Sequence, residues 1–172
     1  MTDWLASHGG VHGQVAEGFE PVAQVFVDNF ADRNETGASA CVYVDGEPVV
    51  NIWGGAANHK TNEPWREESA IVVFSTTKGA TAICIAQLVQ EGKLDYDQTV
   101  ATYWPEFAAA GKQDVTVGQL MSHQAGLIYA DPPLSLDEIL QVTPVVETLA
   151  AQAPLWEPGT DHGYHAVTYG WL

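Results

Sequence analysis

The chain has 172 residues, 46% of them hydrophobic, and a formal net charge of -16 from 22 acidic and six basic residues. This length and apolar content are typical of one globular domain that can bury a core. The acidic surface disfavours nucleic acids and anionic membranes as partners, since phosphate recognition needs clustered Lys and Arg. No apolar stretch is long enough to cross a bilayer, and residues 1–5 do not begin a signal peptide. The sequence therefore predicts a cytoplasmic protein.

The N-terminal half predicts a helix followed by a β-hairpin. The first eighteen residues are rich in glycine and predict an arm. Residues 19–31 carry apolar side chains at helical spacing, which predicts an amphipathic helix. Two segments of β-forming residues, 38–44 and 48–53, flank Asp45-Gly46, a dipeptide typical of the two-residue hairpin turn.

The central segment predicts a strand that leads into a helix. The short apolar run at residues 70–74 favours buried extended chain. A helix is predicted from Ser75 to about Glu91, with Gly92 ending it. Apolar residues cover most of its circumference, which predicts a central rather than a superficial helix. Three short helices are predicted downstream from residues typical of helix N-termini: Thr116, Ser135 and Thr143-Pro144.

The two cysteines, Cys41 and Cys84, lie within apolar runs of a predicted strand and a predicted helix. Cysteine in such surroundings behaves as a small apolar residue. The sequence therefore predicts two buried, reduced thiols, and a single disulfide between them is the alternative.

Ser75 and Lys78 combine a nucleophile with a base where the apolar run meets the helix. A spacing of three places both side chains on one helical face, and the serine lies near free backbone N–H groups of the first turn. A serine hydroxyl needs a base, and a lysine in a dry pocket can lose its charge and serve, or stay charged and hold another base ionised. The spacing alone is weak evidence, because roughly one chance match is expected per chain of this size. The apolar flanks on both sides favour catalysis over a helix cap beside a surface lysine.

Four motifs occur in an order that resembles the serine β-lactamase-related superfamily. That superfamily contains penicillin-binding proteins, family VIII carboxylesterases and class C β-lactamases. The resemblance covers about residues 19–172 and is closest to the esterases and class C enzymes. The motifs are Phe74-Ser75-Thr76-Thr77-Lys78, residues 88–95, residues 115–127, and Trp156-Glu157-Pro158-Gly159-Thr160 followed by Tyr164.

The resemblance implies an α/β (α+β) fold of the β-lactamase/transpeptidase type, with an antiparallel sheet, flanking helices and a helical region. This chain would form the N-terminal portion of that domain. Residues 1–18 would be the arm, residues 19–74 the helix and first sheet strands, and residues 75–172 the nucleophile helix and helical region. The family's third motif and C-terminal strands lie downstream of the point that Leu172 matches, so the resemblance implies a chain without them.

The resemblance also implies catalytic roles and no cofactor. Ser75 matches the acylated nucleophile, Lys78 the lysine that eases proton removal, and Tyr164 the tyrosine that acts as general base and later as general acid. The Ser75 N–H would supply half of an oxyanion hole. A buried core tyrosine with a satisfied hydroxyl is the alternative for Tyr164.

The sequence departs from the family pattern at its tyrosine motif. Ala166 stands where the family has Asn or Ser, which removes a group that could bind a β-lactam side chain and favours simple esters. Trp53-Gly54-Gly55 looks like the esterases' version of the third motif, but it precedes the serine and is interpreted as the end of a hairpin strand. His123 is expected to be structural, with a hydrogen bond to a neighbouring loop.

Other functions have weaker support. No Gly-x-Ser-x-Gly elbow occurs, and Ser122 and His123 are sequence neighbours, which is poor geometry for a nucleophile and its base. Asp161, His162 and His165 could ligate a metal in a metal-dependent hydrolase, but no partner motif supports this. A non-catalytic scaffold or incomplete fragment is the serious alternative, because missing strands would expose an edge and an apolar face.

The sequence thus predicts a serine hydrolase that cleaves small carboxylic esters through an acyl-enzyme on Ser75, with weaker hydrolysis of β-lactams. The expected partner is a small-molecule ester, with no metal, nucleic acid or membrane. A C-terminal half on another chain or a homo-oligomer would complete the site if this chain alone is inactive.

Overall fold

This computed structural model describes residues 10–172, and the chain divides into two compact units, Met1–Val72 and Val73–Leu172. The first unit is an antiparallel sheet with one helix, and the second is helical apart from one isolated β-bridge. This is the mixed sheet-and-helix architecture that the resemblance implies.

The sheet of the first unit is organised around one long strand. The strands are β1 (Val11–Val15), β2 (Gly37–Val44), β3 (Glu47–Asn58) and β4 (Glu63–Pro64). Strand β3 pairs antiparallel with β1 and β2 on its two sides, and β4 pairs with its far end. Asp45 and Gly46 both take positive φ, 51° and 83°, as the favoured two-residue hairpin turn requires. The predicted hairpin is confirmed.

Helix α1 (Glu20–Asp32) covers one face of this sheet. Pro21 lies in its first turn, where its missing N–H costs nothing. The alternation of β3 turns Val50 and Ile52 to the same face, and both are buried with Ala23 of the helix. The predicted amphipathic helix is confirmed.

Two details of the first unit differ from the sequence predictions. Residues 1–9 of the predicted arm lie outside the described residues, but Val11–Val15 form β1 instead of an arm because each residue pairs with β3. The segment Trp53-Gly54-Gly55 lies inside β3, not at its end. Gly54 has no room for a side chain, because Val11 and the carbonyl oxygen of Gly10 lie against it. A glycine at position 54 therefore allows β1 to pair closely with β3.

The second unit packs short helices around one core. The helices are α2 (Thr77–Gln90), α3 (Val100–Tyr103), α4 (Val117–Met121), α5 (Leu136–Leu140) and α6 (Thr143–Ala151). Thr116 and Ser135 begin α4 and α5 with reciprocal capping boxes, so both predicted caps are confirmed. The buried core includes these side chains: Val100, Phe107, Val115, Val117, Leu120, Ala125, Leu127, Val145 and Leu149.

The predicted buried strand at residues 70–74 is wrong. These residues form no strand, and Phe74 is 80% exposed within a 3₁₀ turn, Phe74–Thr76. An apolar run indicates that burial of the segment is favourable. It does not indicate that other residues of this chain bury it.

Helix α2 is equally unlike its prediction. It ends as expected, with Gly92 at a φ of 69°, yet none of its residues is buried, so it is not a central helix of the described structure. Cys84 on α2 and Cys41 on β2 are free, as predicted, but both are exposed rather than buried. Across residues 10–172, no helix combines the length and the apolar character needed to cross a bilayer.

Candidate active site

The candidate nucleophile sits where a 3₁₀ turn passes into α2. Phe74 takes a φ of 45°, which is uncommon for a residue with a side chain. Strained backbone of this kind is found at functional sites more often than elsewhere. Ser75 follows within the same 3₁₀ turn, two residues before α2 begins, and is exposed.

Lys78 lies one turn later and faces the serine. Its Nζ is 3.3 Å from Ser75 Oγ and 2.7 Å from the carbonyl oxygen of Ala166, to which it donates. The ammonium also lies 5.0 Å from the ring centroid of Tyr164 and 5.7 Å from that of Tyr169. Two aromatic faces and a carbonyl therefore hold the lysine against the serine.

Tyr164 completes the cluster from a loop far along the chain. Hydrogen bonding to Ser75 lowers the pKa of the Tyr164 hydroxyl, and a hydrogen bond and positive charge from Lys78 lower it further, while burial opposes the shift. The ring is 53% exposed, so it is not the buried core tyrosine of the alternative interpretation. The structure thus brings all three predicted site residues together.

Two histidines hold the loop that carries Tyr164. The Nε2 of buried His165 accepts a hydrogen bond from the Leu127 N–H at 3.0 Å, and its Nδ1 lies 2.7 Å from the Gly163 carbonyl, to which it donates. His123 accepts from the His165 N–H at Nδ1, and its ring packs 5.1 Å from the Tyr164 ring. The expected structural role of His123, a hydrogen bond to a neighbouring loop, is confirmed.

This histidine pair makes the stability of the loop depend on pH. Burial lowers the pKa of His165 from 6.5, and burial together with the charges of Lys78 and His162 lowers that of His123. Below about pH 6.5 the unfolded chain therefore takes up protons that the folded chain refuses, and the free energy of unfolding falls as the pH drops. We expect urea denaturation to give a smaller unfolding free energy at about pH 5 than at about pH 7.5.

The variant His165→Gln isolates this effect. It should lower the free energy of unfolding at neutral pH, and it should reduce the difference in unfolding free energy between the two pH values. His59→Gln, at an exposed histidine, should change neither quantity. If His165→Gln leaves the pH dependence of the unfolding free energy unchanged, the lowered pKa of His165 is contradicted as its cause.

The proposed metal ligands do not converge. The Asp161 carboxylate accepts from the backbone N–H of His162 at 2.7 Å. Both ring nitrogens of His165 are already engaged by backbone groups. Among residues 10–172, no three His, Cys, Asp or Glu side chains are grouped so as to hold a metal ion. The interpretation of this segment as a metal site is not supported by its geometry.

The segment around Trp156 has a packing role that the sequence did not reveal. The Trp156 Nε1 and the Gly159 N–H both donate to the carbonyl of Gln124, at 3.2 and 3.1 Å. The Leu155 N–H donates to Gly126 at 2.9 Å. The segment thus ties the loop after α4 to the loop that carries Tyr164. The Ala166 carbonyl was also missed, because a backbone acceptor leaves no signal in residue type.

The sheet-and-helix fold with a Ser-x-x-Lys pair and a facing tyrosine defines the β-lactamase/transpeptidase class. The family model described as Beta-lactamase matches residues 22–172. The chain belongs to this beta-lactamase family.

Individual relatives support the same placement. The chain is 40% identical over 174 residues to Esterase/beta-lactamase LipL of Mycobacterium tuberculosis. It superposes on the crystal structure of a family VIII carboxylesterase with a TM-score of 0.89 and 45% identity over 94% of this chain. A penicillin-binding protein homologue from Caulobacter crescentus gives a TM-score of 0.87 and 45% identity, again over 94% of this chain.

The chain is much shorter than these proteins. The match covers 98% of this chain but 40% of the LipL sequence, and 44% and 43% of the two solved chains. The recognised family and the N-terminal position of the match are as predicted.

Proposed function

We propose that Ser75 is the nucleophile of a serine hydrolase that cleaves small carboxylic esters through an acyl-enzyme. The observation that carries the proposal is the contact of Lys78 Nζ with Ser75 Oγ at 3.3 Å, beside a tyrosine whose pKa both residues lower. Nucleophile, base and orienting group within hydrogen-bonding reach are the signature of covalent catalysis.

In the proposed reaction, Tyr164 takes the proton of Ser75 as the serine oxygen bonds to the ester carbonyl carbon. Lys78 keeps the phenolate accessible through its charge. The carbonyl oxygen becomes an oxyanion, which the Ser75 N–H at the start of the helix can stabilise. Tyr164 returns the proton to the departing alcohol, and a water molecule activated in the same way releases the acid.

Simple esters are favoured over β-lactams as substrates. Ala166 contributes a methyl group and a carbonyl that already accepts from Lys78, so it offers no side-chain amide to a β-lactam. The names of the relatives, an esterase/beta-lactamase and a carboxylesterase, support the same substrate class. We expect β-lactam hydrolysis to be the weaker activity.

Treatment with a fluorophosphonate, followed by intact mass spectrometry and peptide mapping, tests the proposal on the chain as it is. We expect one adduct at Ser75 and none in Ser75→Ala. The matched control Ser122→Ala should label normally, since that exposed hydroxyl donates to the Gly118 carbonyl and has no base. Absence of an adduct on the parent chain would overturn the proposal.

A second candidate is a catalytically incomplete member of the family that needs a C-terminal half from another chain or from a second copy. The lack of any fully buried residue in α2 favours it, because an apolar helix surface is unfavourable in water without a cover. An unlabelled but folded chain that becomes labelled when the rest of a relative is added would support this candidate.

A further inference from the structure

An apolar cavity of about 260 Å³ lies within the second unit, apart from the catalytic cluster. Its walls come from the loop after α4, from α5 and α6, and from the segment after Tyr164. The side chains that define it are Ile128, Leu134, Ile139, Val145, Val167 and Trp171.

The cavity shares part of its wall with a cleft at the candidate nucleophile. That separate cleft is lined by Ser75 and Lys78, and it also includes Val167 and Trp171. Since Val167 and Trp171 line both spaces, the cavity and the serine cleft are adjacent.

The polar groups at the cavity wall are already used by the protein. The Thr168 hydroxyl donates to the Leu127 carbonyl at 2.6 Å, which leaves its methyl group for the cavity. The Tyr129 carbonyl accepts from Gln152 Nε2 at 3.0 Å. A ligand would therefore meet mainly hydrocarbon.

We propose that this cavity binds an unbranched aliphatic substituent of the ester substrate. At about 30 Å³ for each group the size of a water molecule or methylene, the cavity holds a chain of about six to eight carbons. The net charge of -16 favours a neutral chain over one that ends in a carboxylate. The inference rests on the proposed ester hydrolysis for its biological meaning, but binding at the cavity is independent of Ser75.

A binding experiment tests the cavity without catalysis. Fluorine NMR titration with the neutral probe 6,6,6-trifluorohexan-1-ol should give saturable binding to the parent chain and equal binding to Ser75→Ala. Ala130→Leu, which fills the cavity, should weaken binding at least about tenfold. Ala151→Leu makes the same change at an exposed position outside the cavity and should leave binding unchanged.

A second variant keeps the test decisive if Ala130→Leu fails to fold. Val167 is 64% exposed, so Val167→Thr is tolerated by the fold while it places a hydroxyl in the wall. It should weaken the probe severalfold. Equal binding by the parent, Ala130→Leu and Val167→Thr, or no saturable binding at all, would overturn the proposal.

Rates of ester hydrolysis show whether the cavity binds the acyl group or the alcohol group of the ester. In one series, 4-nitrophenyl esters run from acetate to decanoate, and in the other, acetate esters carry alcohols of the same lengths. We expect kcat/KM to rise about fourfold per methylene in one series up to about six carbons, and Ala130→Leu to move the optimum to shorter chains. A flat response in both series would overturn the proposal. If no ester is turned over and Ser75 is not labelled, the proposed function fails, and the NMR result still decides whether the cavity binds a chain.

Discussion

Lys78→Met should slow the acylation of Ser75 by about 10²- to 10⁴-fold, the usual contribution of a positioned proton-transfer group. Methionine keeps the length and helical preference of the side chain, but it removes the Nζ that lies 3.3 Å from Ser75 Oγ. The hydrogen bond to the Ala166 carbonyl is lost as well. The rate constant of fluorophosphonate labelling at Ser75, followed by mass spectrometry, measures the effect.

The same variant should change the pH profile of labelling. A hydrogen bond and the charge of Lys78 lower the pKa of the Tyr164 hydroxyl, so their removal raises it. The rising limb of the labelling rate should therefore move to higher pH, and the ultraviolet titration of the phenol should move with it.

Lys93→Met is the matched control, because Lys93 follows the same helix, is 67% exposed in its side chain and pairs with Glu91 at the surface. It should label at the parent rate. Equal rates for Lys78→Met and Lys93→Met would show that the lysine does not take part in proton transfer.

Lys112→Ala should lower the free energy of unfolding by about 3 kcal/mol or more, the largest stability effect that we expect in the second unit. The side chain is 0% exposed. Its Nζ donates to the carbonyl oxygens of Ala109 at 2.8 Å and Ala150 at 3.0 Å, and also to that of Gln152. Burial lowers the pKa of this ammonium, and the three acceptors offset that cost.

The effect is expected to be large because carbonyl oxygens would lose their hydrogen-bond donor. Ala150 lies in the last turn of α6 and Gln152 immediately follows it, so the lysine satisfies acceptors at the end of this helix. Removal of the donor takes this partner from the Ala150 and Gln152 carbonyls, whereas the Ala109 carbonyl keeps its hydrogen bond from the Lys112 backbone N–H. A buried acceptor left without a partner costs more than the hydrogen bond contributes.

Urea denaturation followed by tryptophan fluorescence measures the loss. Lys93→Ala is the control and should change stability by less than about 0.5 kcal/mol, since its ion pair is solvent-exposed. Lys112→Met should fall between the two, because it fills the buried space with an apolar side chain but loses the Nζ donor, which lies 5.3 Å from the Phe107 ring centroid. A Lys112→Ala variant as stable as Lys93→Ala would contradict the assigned role.

The local elements were predictable because their signals lie in adjacent residues. Asp45-Gly46 tolerates the positive φ of a tight turn, and Thr116 and Ser135 cap helices through a backbone N–H three residues away. Ser75 and Lys78 also share a helical face by spacing alone. The family resemblance added Tyr164, which no local pattern could connect to a serine 89 positions earlier.

Burial was not predictable in the same way. The apolar residues 71–74 and the largely apolar helix α2 predicted burial. Residues 71–74 are nevertheless exposed and no residue of α2 is fully buried, in a chain that spans less than half the length of the relatives compared. Conversely, Lys112 is fully buried although it is charged and is followed directly by the polar Gln113 and Asp114. The hydrophobic pattern indicates which residues would be stabilised by burial. It does not indicate which other residues are present to bury them.

The sequence by itself determined the turns, the caps, the spacing of Ser75 and Lys78 and, through its ordered motifs, the family. Only the tertiary structure decided that the Ala166 carbonyl holds the lysine, that His123 and His165 support the tyrosine loop, and that Val167 and Trp171 line both the cavity and the serine cleft. The reason is that these contacts join residues up to 88 positions apart through backbone carbonyls, ring faces and common walls. Such contacts depend on how the chain packs and leave no trace in the spacing of residue types.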